Sequence, residues 1–324
     1  MLVIKNIIVR CCKITRSASK RSFLEVRRFH YQNSSSRAPW ERKNSGVRYF
    51  YHQRSQRTVV EAEWVKQRLD AGDLASTSKD IRLLHADFTD GESYEKAHIP
   101  NSHFFDGMFC RNQESPYRNT LPSKEQFAEY VGGSLGISNT TEVVVYDSYE
   151  SIPSFVYAAR VWFMFRLFGH DLVSIMNGGL FRWNHLNYPL AIGKDSEEPP
   201  KPTDFKPYFR ENMLVNFEDV MDSFHVNHKR RQLVDARSLD TYNGKTAYFG
   251  KYGHIRGAKH LYAGSMIDPK TQLLKKPREL VLEFKRAELD LRKPVISSCG
   301  TGLNACAVVA AAHSFGKLDV PLYD

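Results

Sequence analysis

Cysteine is scarce in this chain, five residues in 324. Cys11 and Cys12 lie in a basic N-terminal stretch, and the remaining three, Cys110, Cys299 and Cys306, form no CxxC motif and no Cys/His pair at zinc spacing. A disulfide framework and a structural metal are therefore not expected, and no cofactor is called for. Long hydrophobic runs are also missing. Nothing approaches the roughly 18 consecutive apolar residues of a bilayer span, so no membrane partner is expected. Acidic residues are nearly absent from one end only: residues 1–57 hold 14 Lys and Arg against Glu25 and Glu41, leaving 32 basic and 34 acidic residues beyond. The formal charge of +10 thus belongs to a leader, and a near-neutral body gives no reason to expect a nucleic-acid partner.

The leader, MLVIKNIIVRCCKITRSASKRSFLEVRRFHY onward, is rich in Arg, Lys and Ser and alternates apolar with basic residues. That composition reads as a mitochondrial transit peptide with the matrix as destination, the cytoplasm being the second choice. A secretory signal competes, but Lys5 and Asn6 interrupt its apolar run. A nucleic-acid-binding arm competes too, without interleaved motif residues.

What is present concentrates near the other end. The β-branched run Pro294-Val295-Ile296 passes through Ser297-Ser298 into Cys299-Gly300-Thr301-Gly302-Leu303-Asn304, and an alanine-rich helix pattern, Ala305 to Ala312, follows at once. A strand-to-helix turn gathers backbone N–H groups and the positive end of a helix dipole, which favours a thiolate and a bound anion. A free cysteine is otherwise most often a small core residue. Two glycines within three residues, able to form an anion-cradling loop, favour a functional thiol at Cys299. Cys306, seven residues on, is assigned to the core.

Between two well-patterned regions, residues 191–210 concentrate proline and charge and read as a linker. The halves it separates, 58–190 and 211–324, resemble each other. Arg82-Leu83-Leu84-His85-Ala86-Asp87, His98-Ile99-Pro100 and the strand Val143 to Tyr146 have counterparts in Gln232-Leu233-Val234-Asp235-Ala236-Arg237, His254-Ile255-Arg256 and the strand before Cys299. Short β-rich runs alternate with amphipathic helices such as Lys124 to Val131 and Phe155 to Phe168, which predicts an α/β fold: in each half a parallel sheet with helices on both faces. Ligands of such sheets bind beyond the carboxyl ends of the strands, where Cys299 stands in one half and Asp147 in the other. After Val173 to Met176 the first half continues into a loop and helix from Asn177. The second stops at Val320 to Asp324, so its last helix is expected to be missing and its packing area reduced.

Taken together, HIPNSHFFD at 98–106, LPSKEQFAEYVGGSLGISN from 121, RVWFMFRLFGH at 160–170, GHIRGA at 253–258 and CGTGLNAC at 299–306 resemble the tandem rhodanese-domain sulfurtransferases. The similarity is greatest to the 3-mercaptopyruvate type and covers residues 58–324. It implies an inactive first domain and a catalytic second one, in which Cys299 takes a sulfane sulfur as a persulfide and passes it to cyanide or a thiol. That thiol would be a small molecule or a thioredoxin-like protein. It also implies that Thr301 relays a proton with His98, and that Gly300, Gly302, Leu303 and Asn304 line the donor site. Related phosphatase loops place Arg six residues after Cys, where this chain has Ala305. Thiosulfate-type loops place basic residues directly after the cysteine, and this one has Gly300 and Thr301.

Some positions depart from that pattern. His85 stands where the 3-mercaptopyruvate type has an aspartate, with Asp87 a nearby substitute. Thr241 replaces a carboxylate-binding arginine before Tyr242, and the loop from Gly244 to His254 is shortened. Arg237, Lys245, Lys251 and Arg256 remain as sources of positive charge, Arg237 being taken as substrate-binding. The leading expectation is sulfur transfer from 3-mercaptopyruvate; thiosulfate as donor, or a non-catalytic persulfide- or partner-binding module, are the alternatives.

Overall fold

The computed structural model describes residues 57–75, 80–148, 153–194, 199–222 and 231–324. The leader assigned to residues 1–57 lies outside them, apart from Arg57. In chain order the first half forms β1 (Val59–Val60), α1 (Ala62–Asp70), β2 (Ile81–Asp87), α2 (Glu92–Lys96), β3 (Ser102–Asp106), α3 (Lys124–Ala128), β4 (Glu142–Tyr146), α4 (Val156–Leu167), β5 (Val173–Met176) and α5 (Gly179–His185). The second forms β6 (Leu214–Val215), α6 (Phe217–Asp222), β7 (Gln232–Asp235), α7 (Leu239–Tyr242), β8 (Lys259–His260), α8 (Pro277–Arg286), β9 (Val295–Ser298), α9 (Leu303–Ser314) and β10 (Leu322–Tyr323).

Two five-stranded parallel sheets result, ordered β1-β5-β4-β2-β3 and β6-β10-β9-β7-β8. The two orders are one pattern repeated. Parallel neighbours cannot be joined by tight turns, so the helices between the strands carry the crossovers. Register makes the repeat residue-specific: His85 pairs with Tyr146 as Asp235 pairs with Ser298, so His85 and Asp235 occupy equivalent places, one residue short of Asp147 and Cys299.

Helices α4 and α9 join the halves. Their sequences, VYAARVWFMFRL and LNACAVVAAAHS, are apolar nearly all round apart from Arg160 and Arg166, which suits helices covered on most sides. All residues from Ala158 to Phe165 and from Ala305 to Ala312 are buried. The two helices pack on each other, and the alanines of α9 allow a close approach. At one end the Trp162 ring meets His313 edge-on at 5.1 Å, while Thr58 Oγ1 lies 2.7 Å from His313 Nδ1. A single apolar cluster therefore runs from Val145 and Phe163 to Val234, Val295 and Ala305.

The proline-rich connection is not a free spacer over residues 199–210. Phe205 is buried among Phe127 and His170, and the Thr203 N–H donates to the Gly132 carbonyl at 2.9 Å. An aromatic residue in an otherwise polar stretch straps it to the first domain. The opposite sheet faces differ between the halves. In the first half Leu83, Val144 and Met176 pack under α1 and α5 with Trp183, whereas the equivalent Leu233 and Ile296 belong to a small cluster with Val220 and Ala258. β10 still sits inside the second sheet, with Leu322 fully buried. No helix in the described residues is long and apolar enough to cross a membrane.

Burial lowers the pKa of His85, His170 and His313 to about 4. A depressed folded-state pKa stabilises above the unfolded value of about 6.5 and is lost as pH falls toward 4, worth at most roughly 3 kcal/mol per group. Both ring nitrogens of His85 lack a hydrogen-bond partner, and its ring lies 5.4 and 4.8 Å from those of Tyr94 and Tyr146. His85→Phe should therefore raise the melting temperature more at pH 5 than at pH 8. An equal shift at both pH values in a calorimetric series would refute the titration of His85.

Candidate active site

Cys299 leaves the end of β9, and the side chains just before it fix its direction. Ser298 Oγ donates to the Val234 carbonyl at 2.8 Å, and Ser297 Oγ donates to the Ala305 carbonyl at 3.0 Å, tying strand end to helix start. Gly302 caps α9 in the left-handed region, φ 75°. A side chain there is excluded twice, by this φ and because a Cβ would lie 2.1 Å from Asp324 Oδ1 and 2.4 Å from Arg160 Nη1. The half-buried Cys299 sulfur receives backbone N–H groups from Ala305 and Thr301. This is the cradle that the strand–turn–helix pattern predicts.

The thiol is nevertheless not acidified. Burial pushes the Cys299 pKa up, and the two N–H groups and the Arg160 charge only partly oppose it, with the Asp324 carboxylate adding to the rise. The expectation of a favoured thiolate is thus corrected. Desolvation under the packed helices outweighs the N–H groups at the helix start. Cys306 is fully buried with its thiol pushed to about 12, as its core assignment requires.

Arg160 was not singled out from the sequence. It lies in the middle of α4, 1% exposed, and its Nη1 and Nη2 donate to the two Asp324 carboxylate oxygens at 2.9 and 3.2 Å. Nη1 also lies 3.7 Å from Cys306 Sγ, and Nη2 donates to the Asn119 carbonyl at 2.5 Å. A charged residue in the middle of VYAARVWFMFRL was the available signal, since a buried cation must be paired. The pair joins the first domain to the residues that follow Cys299.

Arg237 lies near the loop but is largely committed. It forks onto Asp235, Nε to Oδ1 at 2.9 Å, and donates from Nη2 to the Gly253 carbonyl at 2.8 Å. Its charge still reaches Cys299 and Tyr248. Of the other basic candidates, Lys245 pairs with Asp240 at 3.1 Å, while Lys251 and Arg256 are exposed. Thr241 is buried, and Ser238 caps α7 by accepting the Thr241 N–H at 3.4 Å. Thr301, Leu303 and Asn304 are half-buried around the loop, and Gly302 is buried.

In the first half the same position is filled by an anion of the chain itself. The Asp147 carboxylate accepts N–H groups from Phe155, Tyr157 and Ala158 at 2.7 to 3.0 Å, with Phe155 capping α4 at φ 107°. Burial raises its pKa to about 6 against those hydrogen bonds. His98 stacks on Tyr94 at 4.0 Å, and its Nδ1 lies 2.9 Å from the Tyr94 carbonyl oxygen. It lines a cavity of about 480 Å³ with Pro100, His103, Leu135, Ile192 and Pro200, and residues 299–304 form no wall of that cavity. Asp87 does not take the role of the missing aspartate. Its carboxylate accepts from the Thr89 N–H and hydroxyl at 2.8 and 2.6 Å and from Ser93 Oγ at 2.6 Å.

A repeated parallel sheet with a cysteine cradle at the end of one fourth strand defines a class, and the comparisons agree. The rhodanese-like domain family matches residues 61–186 and 221–324. Thiosulfate sulfurtransferase of Bos taurus is 38% identical over 285 residues, 84% of this chain and 91% of that protein. 3-Mercaptopyruvate sulfurtransferase of Homo sapiens is 34% identical over 278 residues, covering 83% and 90%. Among solved structures, SseA from Escherichia coli, described as a 3-mercaptopyruvate sulfotransferase, superposes with a TM-score of 0.71 at 27% identity, over 82% of this chain and 97% of that one. The chain belongs to the rhodanese family and is a tandem-domain sulfurtransferase.

Removing the partner of the buried Arg160 strands its charge. Asp324→Leu should cost about 3–5 kcal/mol of stability, while Asp324→Leu with Arg160→Met should recover most of it. Urea unfolding of the two variants checks this, and equal losses would show that the pair is not the coupled unit.

Proposed function

We propose that the chain moves a sulfane sulfur from 3-mercaptopyruvate through Cys299 to a thiol or cyanide. The observation that carries this reading is the neutrality of the sulfur site: Gly300 and Thr301 follow Cys299, and the nearby Arg237 is forked onto Asp235. Such a mouth suits a monoanionic donor. Thiosulfate, a dianion, is the second reading, favoured by relatives of that name at 38% identity.

The step balances without an external oxidant. Cys299 loses its proton and its sulfur attacks the donor sulfur; the C–S bond breaks, and its electron pair passes to the carbon beside the keto group. That enolate takes up a proton and leaves as pyruvate, while Cys299 carries the extra sulfur. An acceptor thiol attacks the outer sulfur and departs as a persulfide, and Cys299 returns to a thiol. Thr301, beside the cradled sulfur, carries the proton in this reading; His98, held on Tyr94 in a cavity that residues 299–304 do not line, does not join it. Backbone N–H groups of Thr301 and Ala305 stabilise charge on Cys299 while the bonds exchange.

Because burial raises the Cys299 pKa, single-turnover sulfur transfer should keep rising with pH above neutrality. Cys299→Ser should reduce pyruvate release from 3-mercaptopyruvate by at least about 10³-fold with the melting temperature unchanged. Equal pyruvate output from both proteins, or a rate larger with thiosulfate than with 3-mercaptopyruvate at matched concentration, would refute the donor assignment. The basic leader supports delivery to the mitochondrial matrix; fluorescence of a fusion carrying residues 1–57 tests it, and cytosolic fluorescence refutes it.

A further inference from the structure

Gly300 has no backbone reason to be glycine, since its φ lies outside the left-handed region. Its reason is a neighbour. A Cβ at this position would lie 1.9 Å from Tyr248 Cε1, 2.5 Å from Cδ1 and 2.6 Å from Cζ. The half-buried Tyr248 ring therefore occupies the space into which a side chain directly after Cys299 would project.

That ring is held by a built turn. Tyr248 and Lys251 exchange backbone hydrogen bonds at 2.8 and 3.0 Å, with Phe249 and Gly250 in the left-handed region between them. The Phe249 ring meets Tyr248 edge-on at 4.7 Å. At its base the turn is tied to β7, the neighbour of β9, because Arg237 donates to the Gly253 carbonyl while forking onto Asp235. Gly244 packs against the Gly253 backbone, where a Cβ would come within 3.1 Å. The segment from 244 to 254 is thus a short flap carrying one ring onto the sulfur loop.

We propose that Tyr248 is a specificity-determining residue: by filling the space above Gly300 it keeps a cationic side chain out of the sulfur site and restricts the donor to a small monoanion. The donor preference rests on the reading given under Proposed function, whereas the coupling between positions 248 and 300 does not. A side chain at position 300 must displace the ring, and a mouth without that cation gives a dianion only the Arg237 charge already shared with Asp235.

Two measurements separate these parts. Gly300→Ala should lower the melting temperature by several degrees in the native background and by less than about one degree in Tyr248→Ala. Additive shifts would overturn the proposal, whether or not the protein turns over either donor. In the donor assay, Gly300→Arg alone should lose at least tenfold in kcat/KM for both donors. Adding Tyr248→Ala should then raise the thiosulfate to 3-mercaptopyruvate ratio at least tenfold over the native protein. A full switch by Gly300→Arg alone would also overturn it. A native protein inactive toward 3-mercaptopyruvate, with the stability coupling intact, would instead refute the reading of the donor.

Discussion

The buried Arg160 of one half of the repeat pairs with the surface carboxylate of Asp324 in the other, in contact with the cap of the helix that follows Cys299. The Arg160 charge is not tolerable there alone. The pair therefore ties α4 to the end of β10, and both partners lie against the residue that caps α9. Gly302 must be glycine because both partners crowd it. The position of the reactive sulfur is set by contacts that cross from one domain to the other.

The two halves show one fold serving opposite ends. At the end of each fourth strand several N–H groups converge on one point. In the first half a carboxylate of the chain, Asp147, sits there and takes those N–H groups itself. In the second the occupant is a thiol, which can take a further atom and release it. The cost is desolvation, which raises the Cys299 pKa as it raises that of Asp147. Chemistry at Cys299 thus depends on what donor binding brings to the sulfur as well as on the resting loop.

Much of this was legible in the residues. The strand–glycine–helix pattern around Cys299, the internal repeat and the equivalence of Asp147 with Cys299 follow from periodicity and spacing, and the sheet orders repeat accordingly. Other features depend on contacts distant in sequence. Arg160 stands 164 positions from its partner, and only its presence in an apolar helix hinted that something must pair with it. Tyr248 was part of a shortened loop until its ring could be placed against Gly300. Local pattern also misjudged the thiol, because a helix start favours an anion while burial opposes it, and burial is a property of the whole packing. Asp87, two residues from His85 on one strand, had the right spacing to replace an aspartate yet is held by Thr89 and Ser93.

The central claim is that sulfur is carried at one place only. Peptide-mapped mass spectrometry after brief exposure of the full chain to 3-mercaptopyruvate tests it most directly. The account predicts one additional sulfur atom on the peptide containing Cys299 and none on that containing Cys110. The gain should disappear on adding an acceptor thiol. An unmodified Cys299, or sulfur retained at Cys306, would contradict it.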